Sequence, residues 1–284
     1  MKERIATIGY FDGVHRGLRY LFWQMRRIAD KERLCPTIYT FYEHPKKVLT
    51  GECPPLLSPG AERYALLERE GAVRYMDFCE VRGLTAQEFM QRLHNEGVST
   101  LLMGYDHRFG SDRLANYEAY AAAGKAAGLC VMKAEELGDP QTGHISSSRI
   151  RARLAENDVE SANAMLGYAY TLRGEVVHGN AIGRTLGFPT ANIRCAEDKL
   201  LPPAGVYAGR CMIGTTDYPT LVNIGTNPTV GNAHLSVEGH IVGYKGDLYG
   251  ETVDFRIERF LRKEQKFSSL EELKEQLKRD YSML

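Results

Sequence analysis

The sequence predicts an α/β domain followed by an antiparallel β domain that closes as a small barrel and ends in a helix. Three observations carry that expectation. At 284 residues the chain exceeds the usual span of one small domain. Up to about residue 160, single short apolar strands alternate with helical stretches, the pattern of a parallel sheet covered on both faces. Beyond that point the strands are separated by Gly, Pro and Asn clusters instead.

The elements follow in chain order. Arg4–Ile8 is a strand, the segment FDGVHRG a loop, and Leu18–Ala29 an amphipathic helix. Pro36–Phe41 is the next strand. Thr85 stands three before Glu88, a capping box that opens a helix closed near Gly97. Thr100–Met103 is a strand, Asn116–Gly128 a helix and Leu129–Lys133 a strand. The helical stretch Ser147–Leu166 forms the junction. Strands then follow at Thr171–Val177, Gly205–Ile213, Leu221–Ile224, Val237–Val242 and Thr252–Leu261. In the last of these, Val253, Phe255 and Ile257 alternate with Asp254, Arg256 and Glu258, as a half-buried antiparallel strand requires. Ser268 and Ser269 precede Glu271 and Glu272 by three, and Leu270, Leu273 and Leu277 make the apolar stripe of a terminal helix.

Composition removes several classes. Hydrophobic residues are 43% and charged residues 25%, values of an ordinary globular protein. Lys and Arg total 36 and so do Asp and Glu, so no bulk charge advertises nucleic acid or anionic lipid. The longest charge-free run, Tyr218 to Val237, is broken by Pro219, Pro228, Gly225 and Gly231 and suits no membrane helix. The N-terminus MKERIATIGYF has no apolar h-region, so no signal peptide is expected. Six dispersed cysteines without a CxxC read as free thiols in a reducing compartment, giving a cytoplasmic expectation.

Two segments of the first half carry chemistry. Gly9-Tyr10-Phe11-Asp12-Gly13-Val14-His15-Arg16-Gly17 follows a strand and opens a helix. Glycine lets the backbone approach a phosphate, helix N-terminal amides favour anions, and His15 can donate to a nucleotide phosphate. Alone, the loop reads equally as a turn with an exposed histidine. Ser146-Ser147-Ser148-Arg149-Ile150-Arg151 sets three hydroxyls and two guanidiniums at another helix start, as an anion cradle would. The plainer alternative there is a serine N-cap followed by solvated arginines.

Together with Thr40-Phe41-Tyr42-Glu43-His44-Pro45 and Gly104-Tyr105-Asp106-His107-Arg108-Phe109-Gly110, these segments resemble the FMN adenylyltransferase module of the bacterial bifunctional riboflavin kinase/FAD synthetase family. The resemblance implies a Rossmann-like nucleotidyltransferase domain over residues 1–158, with ATP-phosphate contacts from His15, Gly17, Ser146, Ser147 and Arg149. That family carries an HxGH motif; here it reads His15-Arg16-Gly17-Leu18. Glu43 stands where proline is usual and His107 where phenylalanine is common. In direct attack of the FMN phosphate on the ATP α-phosphorus, catalysis is positioning and charge stabilisation. Leucine can neither donate nor carry charge, so adenylylation is expected to be weak, with Arg16 and Arg19 as nearby candidates for compensation.

In the second half, glycines at 174, 179, 183 and 187 suit a loop that folds over a nucleotide, and the segment ends in Phe188-Pro189-Thr190-Ala191-Asn192. Thr190 and Asn192 offer neutral oxygens, which suit a phosphate-bridging Mg²⁺. No GxxxxGK[ST] occurs, so a conventional P-loop is excluded. A hairpin loop is the alternative for this segment on its own.

The segment resembles the riboflavin kinase domain of the same family, whose loop ends in GFPTAN. The likeness continues through Gly205-Val206-Tyr207, Asn223-Ile224-Gly225-Thr226-Asn227-Pro228-Thr229, Val237-Glu238-Gly239-His240 and Phe260–Phe267. It implies a six-stranded antiparallel Greek-key barrel over 159–284 that phosphorylates riboflavin to FMN, with ATP and flavins as substrates. Carried over by motif, Gly183, Arg184, Gly187, Thr190 and Asn192 bind ATP phosphates, Thr190 and Asn192 hold Mg²⁺, and Glu238 is the catalytic base. Taken alone, Glu238 could be an outward strand carboxylate. The alternative function is a riboflavin kinase whose N-terminal domain is a nucleotide-binding or scaffolding module.

Overall fold

The computed structural model describes residues 3–138, 143–178, 189–227, 234–265 and 267–284. By contacts it separates into two compact units, Met1–Ile145 and Ser146–Leu284.

In the first unit five strands, β1 (Arg4–Ile8), β2 (Cys35–Phe41), β3 (Ala72–Met76), β4 (Val98–Met103) and β5 (Cys130–Lys133), form one sheet in the order β3-β2-β1-β4-β5. Every pairing in it is parallel. The helices α1 (Arg16–Glu32), α2 (Pro45–Thr50), α3 (Ala61–Glu68), α4 (Phe78–Val81), α5 (Ala86–Asn95) and α6 (Tyr117–Ala126) connect the strands. Alternation along β1 sends Ile5 to one core and Ala6 and Ile8 to the other. The Ile5 side packs on Leu21, Phe22, Met25 and Ala29 of α1 and Leu67 of α3. The opposite side packs on Phe89, Met90 and Leu93 of α5 and Tyr120 of α6. The strand order reverses between β1 and β4, and such a switch point leaves a crevice beyond the carboxyl ends of the strands.

The expected strands and helices of this half are present. Thr85 caps α5 with both halves of the capping box, Thr85 Oγ1 accepting from Glu88 N and Glu88 returning to Thr85 N at 2.8 Å. β3 and the helices α2 to α4 are additional. β3 is an edge strand buried only at Met76, with Arg74 at its middle, so it carries no apolar alternation to read.

The second unit opens with α7 (Ser147–Ala155) and α8 (Val159–Leu166). Six strands follow, β6 (Tyr170–Val177), β7 (Ala191–Cys195), β8 (Gly205–Ile213), β9 (Thr216–Asn227), β10 (His234–Ile241) and β11 (Thr252–Arg262). They close into a barrel in the order β10-β7-β6-β11-β8-β9, with antiparallel pairings. Tyr207, Val222, Ile224, Phe255 and Ile257 are fully buried inside it. Five of these strands match the sequence expectation. β7 is the sixth, and it lies within the segment read there as the end of a loop.

The junction helices group with the barrel. Asn163 of α8 donates to Ile257 O at 3.0 Å and accepts from Tyr170 N at 2.8 Å. Tyr207 Oη donates to Asn157 at 2.8 Å. These bonds move the contact boundary to Ile145/Ser146, ahead of the expected 158/159. The terminal helix α9 (Leu270–Tyr281) is capped by Ser269, whose Oγ accepts from Glu272 N at 3.2 Å. Arg262 of β11 holds it through the fully buried Asp280 at 2.7 Å.

Candidate active sites

The loop leaving β1 is strained and tightly held. Phe11 (φ 60) and Val14 (φ 36) are both buried and both left-handed, a conformation that a β-branched residue adopts only under constraint. The constraint is visible. Asp12 accepts from Leu57 N and Ser58 N, each at 2.9 Å, and Gly13 N donates to Ser58 Oγ at 2.8 Å. Strain held by surrounding bonds is characteristic of functional loops.

His15 is buried and caps α1, its Nδ1 accepting from Leu18 N at 3.4 Å. That acceptance leaves the proton of the neutral ring on Nε2. A Cβ on Gly17 would fall 3.3 Å from His15 Nδ1 and 3.4 Å from Ile145 O, so the glycine admits the imidazole. His15 and Gly17 are therefore brought together at the helix start. Leu18, partly buried, packs against the apolar cluster that includes Phe11, Val14 and Phe22. Arg19 reaches Glu70, Nε to Oε1 3.5 Å, a partner shared with Arg26.

Arg63 was not singled out in the sequence, where it sits in an ordinary short helix. It is fully buried and donates to Tyr10 O, Thr40 Oγ1, Phe41 O and Tyr42 O at 2.7–3.3 Å, with its guanidinium 4.0 Å from the Tyr10 ring. It thus ties together the carboxyl ends of β1 and β2. Replacement by methionine orphans buried acceptors, each costing ~1–3 kcal/mol. Arg63→Met is expected to lower the urea midpoint of this unit, followed by Trp23, the one tryptophan of the chain; an unshifted midpoint would contradict the role.

Beside these strand ends lies a cleft of about 680 Å³ lined by Gly9, Tyr10, Phe41, Phe78, His107 and Phe109 among others. Burial pulls His107 down to about 4, so it is a neutral ring at pH 7, tilted against Phe109 at 5.8 Å. In that state it can stand in for an aromatic side chain.

Ser146 caps α7, its Oγ accepting from Arg149 N at 3.4 Å, as the plainer reading of that segment expects. Ser147 and Arg149 occupy the first turn of the same helix, in the second unit.

In the barrel, register decides the geometry. Glu238 of β10 stands directly opposite Asn192 of β7 on one side and Asn223 of β9 on the other. Paired residues share a face, so all three project together while Val237, Ile193 and Ile224 are buried inside. Thr190 Oγ1 donates to Glu238 Oε2 at 3.5 Å. His240 Nδ1–H donates to Pro189 O at 2.8 Å and holds the residue before Thr190. Thr190, Asn192 and Glu238 are therefore brought together, Thr190 by its bond to Glu238 and Asn192 by register. Asn223 joins them; it lies within a segment quoted for its resemblance but was not among the site residues. Gly183, Arg184 and Gly187 lie outside the described residues.

Thr190 also borders a cleft of about 350 Å³ with Val176, Gly239, Ile241, Tyr244 and Asp247. Burial raises the Glu238 carboxyl above its ordinary value, opposed in part by the Thr190 bond. Burial thus disfavours the ionised form of this carboxyl relative to an exposed glutamate.

A parallel α/β unit with a constrained Gly/His loop at its switch point, joined to a closed barrel presenting a carboxylate beside hydroxyl and amide oxygens, defines a two-part protein of nucleotide and phosphate chemistry. The family model described as FAD synthetase matches residues 1–149, and that described as riboflavin kinase matches 166–284. The bifunctional riboflavin kinase/FMN adenylyltransferase of Escherichia coli K12 is 34% identical over 97% of this chain and 90% of its own length. That of Bacillus subtilis is 33% identical over 98% and 90%. A crystal structure described as a macrolide-efflux protein from Streptococcus pneumoniae superposes with a TM-score of 0.89 at 34% identity, covering 99% of this chain and 93% of that one. The chain belongs to the bifunctional riboflavin kinase/FMN adenylyltransferase family. Among the described residues no helix is long and apolar enough to cross a membrane.

Proposed function

We propose that the barrel unit phosphorylates riboflavin to FMN at Thr190, Asn192 and Glu238, and that the α/β unit adenylylates FMN to FAD slowly at the loop around His15 and Gly17. The observation carrying the kinase reading is the convergence of Glu238 with Thr190 and Asn192 on one face of β7 and β10. Glu238 accepts the proton of the ribityl 5′-hydroxyl as the hydroxyl oxygen attacks the γ-phosphorus of ATP, the bond to the β,γ-bridging oxygen breaks and ADP leaves. The donor set of one hydroxyl and one amide oxygen beside a carboxylate fits Mg²⁺, which takes few protein oxygens and completes its shell with phosphate and water. Thr190 and Asn192 would hold that ion, and it would neutralise charge on the transferring phosphoryl group. The cleft beside Thr190 takes the nucleotide.

In the α/β unit His15, with its proton on Nε2, is placed to donate to an ATP phosphate, and the aromatic cleft beside it suits a flavin ring. Leu18 removes the second donor and packs, partly buried, against the core, while Arg19 is engaged by Glu70. These two facts support a weakened second step. A cytoplasmic location is supported by the six free cysteines, and the balanced charge offers nucleic acid no basic footprint. Incubation with riboflavin and Mg-ATP, followed by chromatographic separation of the flavins, tests the proposal. FMN should accumulate with FAD trailing far behind; absence of FMN would overturn it, and FMN without any FAD would favour the kinase-plus-scaffold alternative.

A further inference from the structure

The wall that carries Glu238 does not end there. Glu238 and Ser236 are two apart on β10 and share its outer face; their partners on β9 are Asn223 and Gly225. A Cβ built on Gly225 would fall 2.3 Å from Glu264 Oε1 and 3.2 Å from Asn223 Nδ2. The Glu264 carboxylate, contributed by the segment after β11, therefore lies flat on the Gly225 backbone beside Asn223. A side chain at 225 would displace that carboxylate. Among the described residues Glu264 has no hydrogen bond or ion pair, and it is exposed to solvent. A carboxylate so placed, with no donor among the described residues, is set to receive one from a ligand.

Direction along the strand narrows the ligand. β7 runs antiparallel to β10, so Thr190 and the cleft with Gly239 and Ile241 lie on the His240 side of Glu238. Ser236, Gly225 and Glu264 lie on the opposite side. With phosphates on the first side and the reacting hydroxyl at Glu238, the rest of the alcohol must run toward the second. The two-residue step from Glu238 to Ser236 is roughly 7 Å at ~3.4 Å per residue, comparable with an extended five-carbon polyol.

We propose that Glu264 is a specificity-determining residue of the kinase site, accepting hydrogen bonds from the secondary hydroxyls of the ribityl chain. The inference rests on the kinase reading of Thr190, Asn192 and Glu238. Glu264 takes no part in proton transfer, so its loss acts on flavin binding and spares the chemical step at saturation.

The test is kinetic and by direct binding. A hydrogen bond to a charged acceptor is worth ~1.5–3 kcal/mol, or roughly 10–100-fold in affinity. Glu264→Gln should raise KM for riboflavin at least about tenfold while kcat and KM for ATP stay within about twofold. Titration by flavin fluorescence should show the same weakening for riboflavin and none for lumiflavin, which has the ring and a methyl group in place of the polyol. Gly225→Ala, which forces the carboxylate aside, should reproduce the riboflavin effect. An unchanged riboflavin KM in Glu264→Gln, or equal weakening of lumiflavin, overturns the proposal while leaving the kinase site standing. Full FMN formation by Glu238→Gln overturns the site reading itself, and this inference with it.

Discussion

Glu238→Gln is expected to reduce FMN formation by ~10²–10⁴-fold, the range a positioned general base supplies. The substitution keeps the shape of the side chain and an oxygen to accept from Thr190, at present 3.5 Å away, but removes the basic oxygen. It also removes a carboxyl whose burial already disfavours its ionised form, so folding has nothing to lose by it. The loss should therefore appear in kcat with an unchanged thermal transition. Measurement is by chromatography of riboflavin and FMN at saturating Mg-ATP. Turnover within tenfold of the unaltered protein would move the base role away from Glu238.

Leu18→His is expected to raise FAD formation from FMN and ATP by ~10²–10³-fold, the usual worth of one preorganised donor at a developing charge. The position lies about one helical turn from His15, whose imidazole caps the helix start beside Gly17. Leu18 now packs, partly buried, against the apolar cluster of this side of the sheet, so the variant gives up part of an apolar contact and should be somewhat less stable. Arg19 does not offer an easy substitute, because it is drawn along the helix to Glu70. A wild-type rate of FAD formation matching enzymes with both histidines, or no gain in the folded variant, would show that the missing imidazole does not limit this step.

The fold was legible where hydrophobic period and capping chemistry agree. β1 and β8 coincide with their expected bounds, and the capping residues Thr85, Asn116 and Ser269 each mark a helix start. Elements set by tertiary context were not legible. β3 is an exposed edge strand with arginine at its centre, and β7 begins inside a segment whose glycines and Pro-Thr signal a turn. The candidate residues of the barrel could be named from motif alone, yet their juxtaposition depends on a register that pairs Glu238 with residues 46 and 15 positions earlier, Asn192 and Asn223. No local pattern encodes that. Arg63 and Glu264 escaped notice for the same reason: one is a buried guanidinium in an unremarkable helix, the other a glutamate in a charged run, and only packing gives either a role. Contacts divide the chain at Ile145/Ser146 rather than at 158/159, with Asn157 and Asn163 bonded to the barrel, a fact carried by distant strands.

The most direct test of the central claim, that Thr190, Asn192 and Glu238 form one phosphoryl-transfer centre, is the Mg²⁺ dependence of FMN formation in three variants measured side by side. Thr190→Val and Asn192→Ala should each raise the half-saturating Mg²⁺ concentration by ~10-fold or more. Glu238→Gln should lose rate with half-saturation little changed. The same Mg²⁺ requirement in all three and in the unaltered protein would contradict the account.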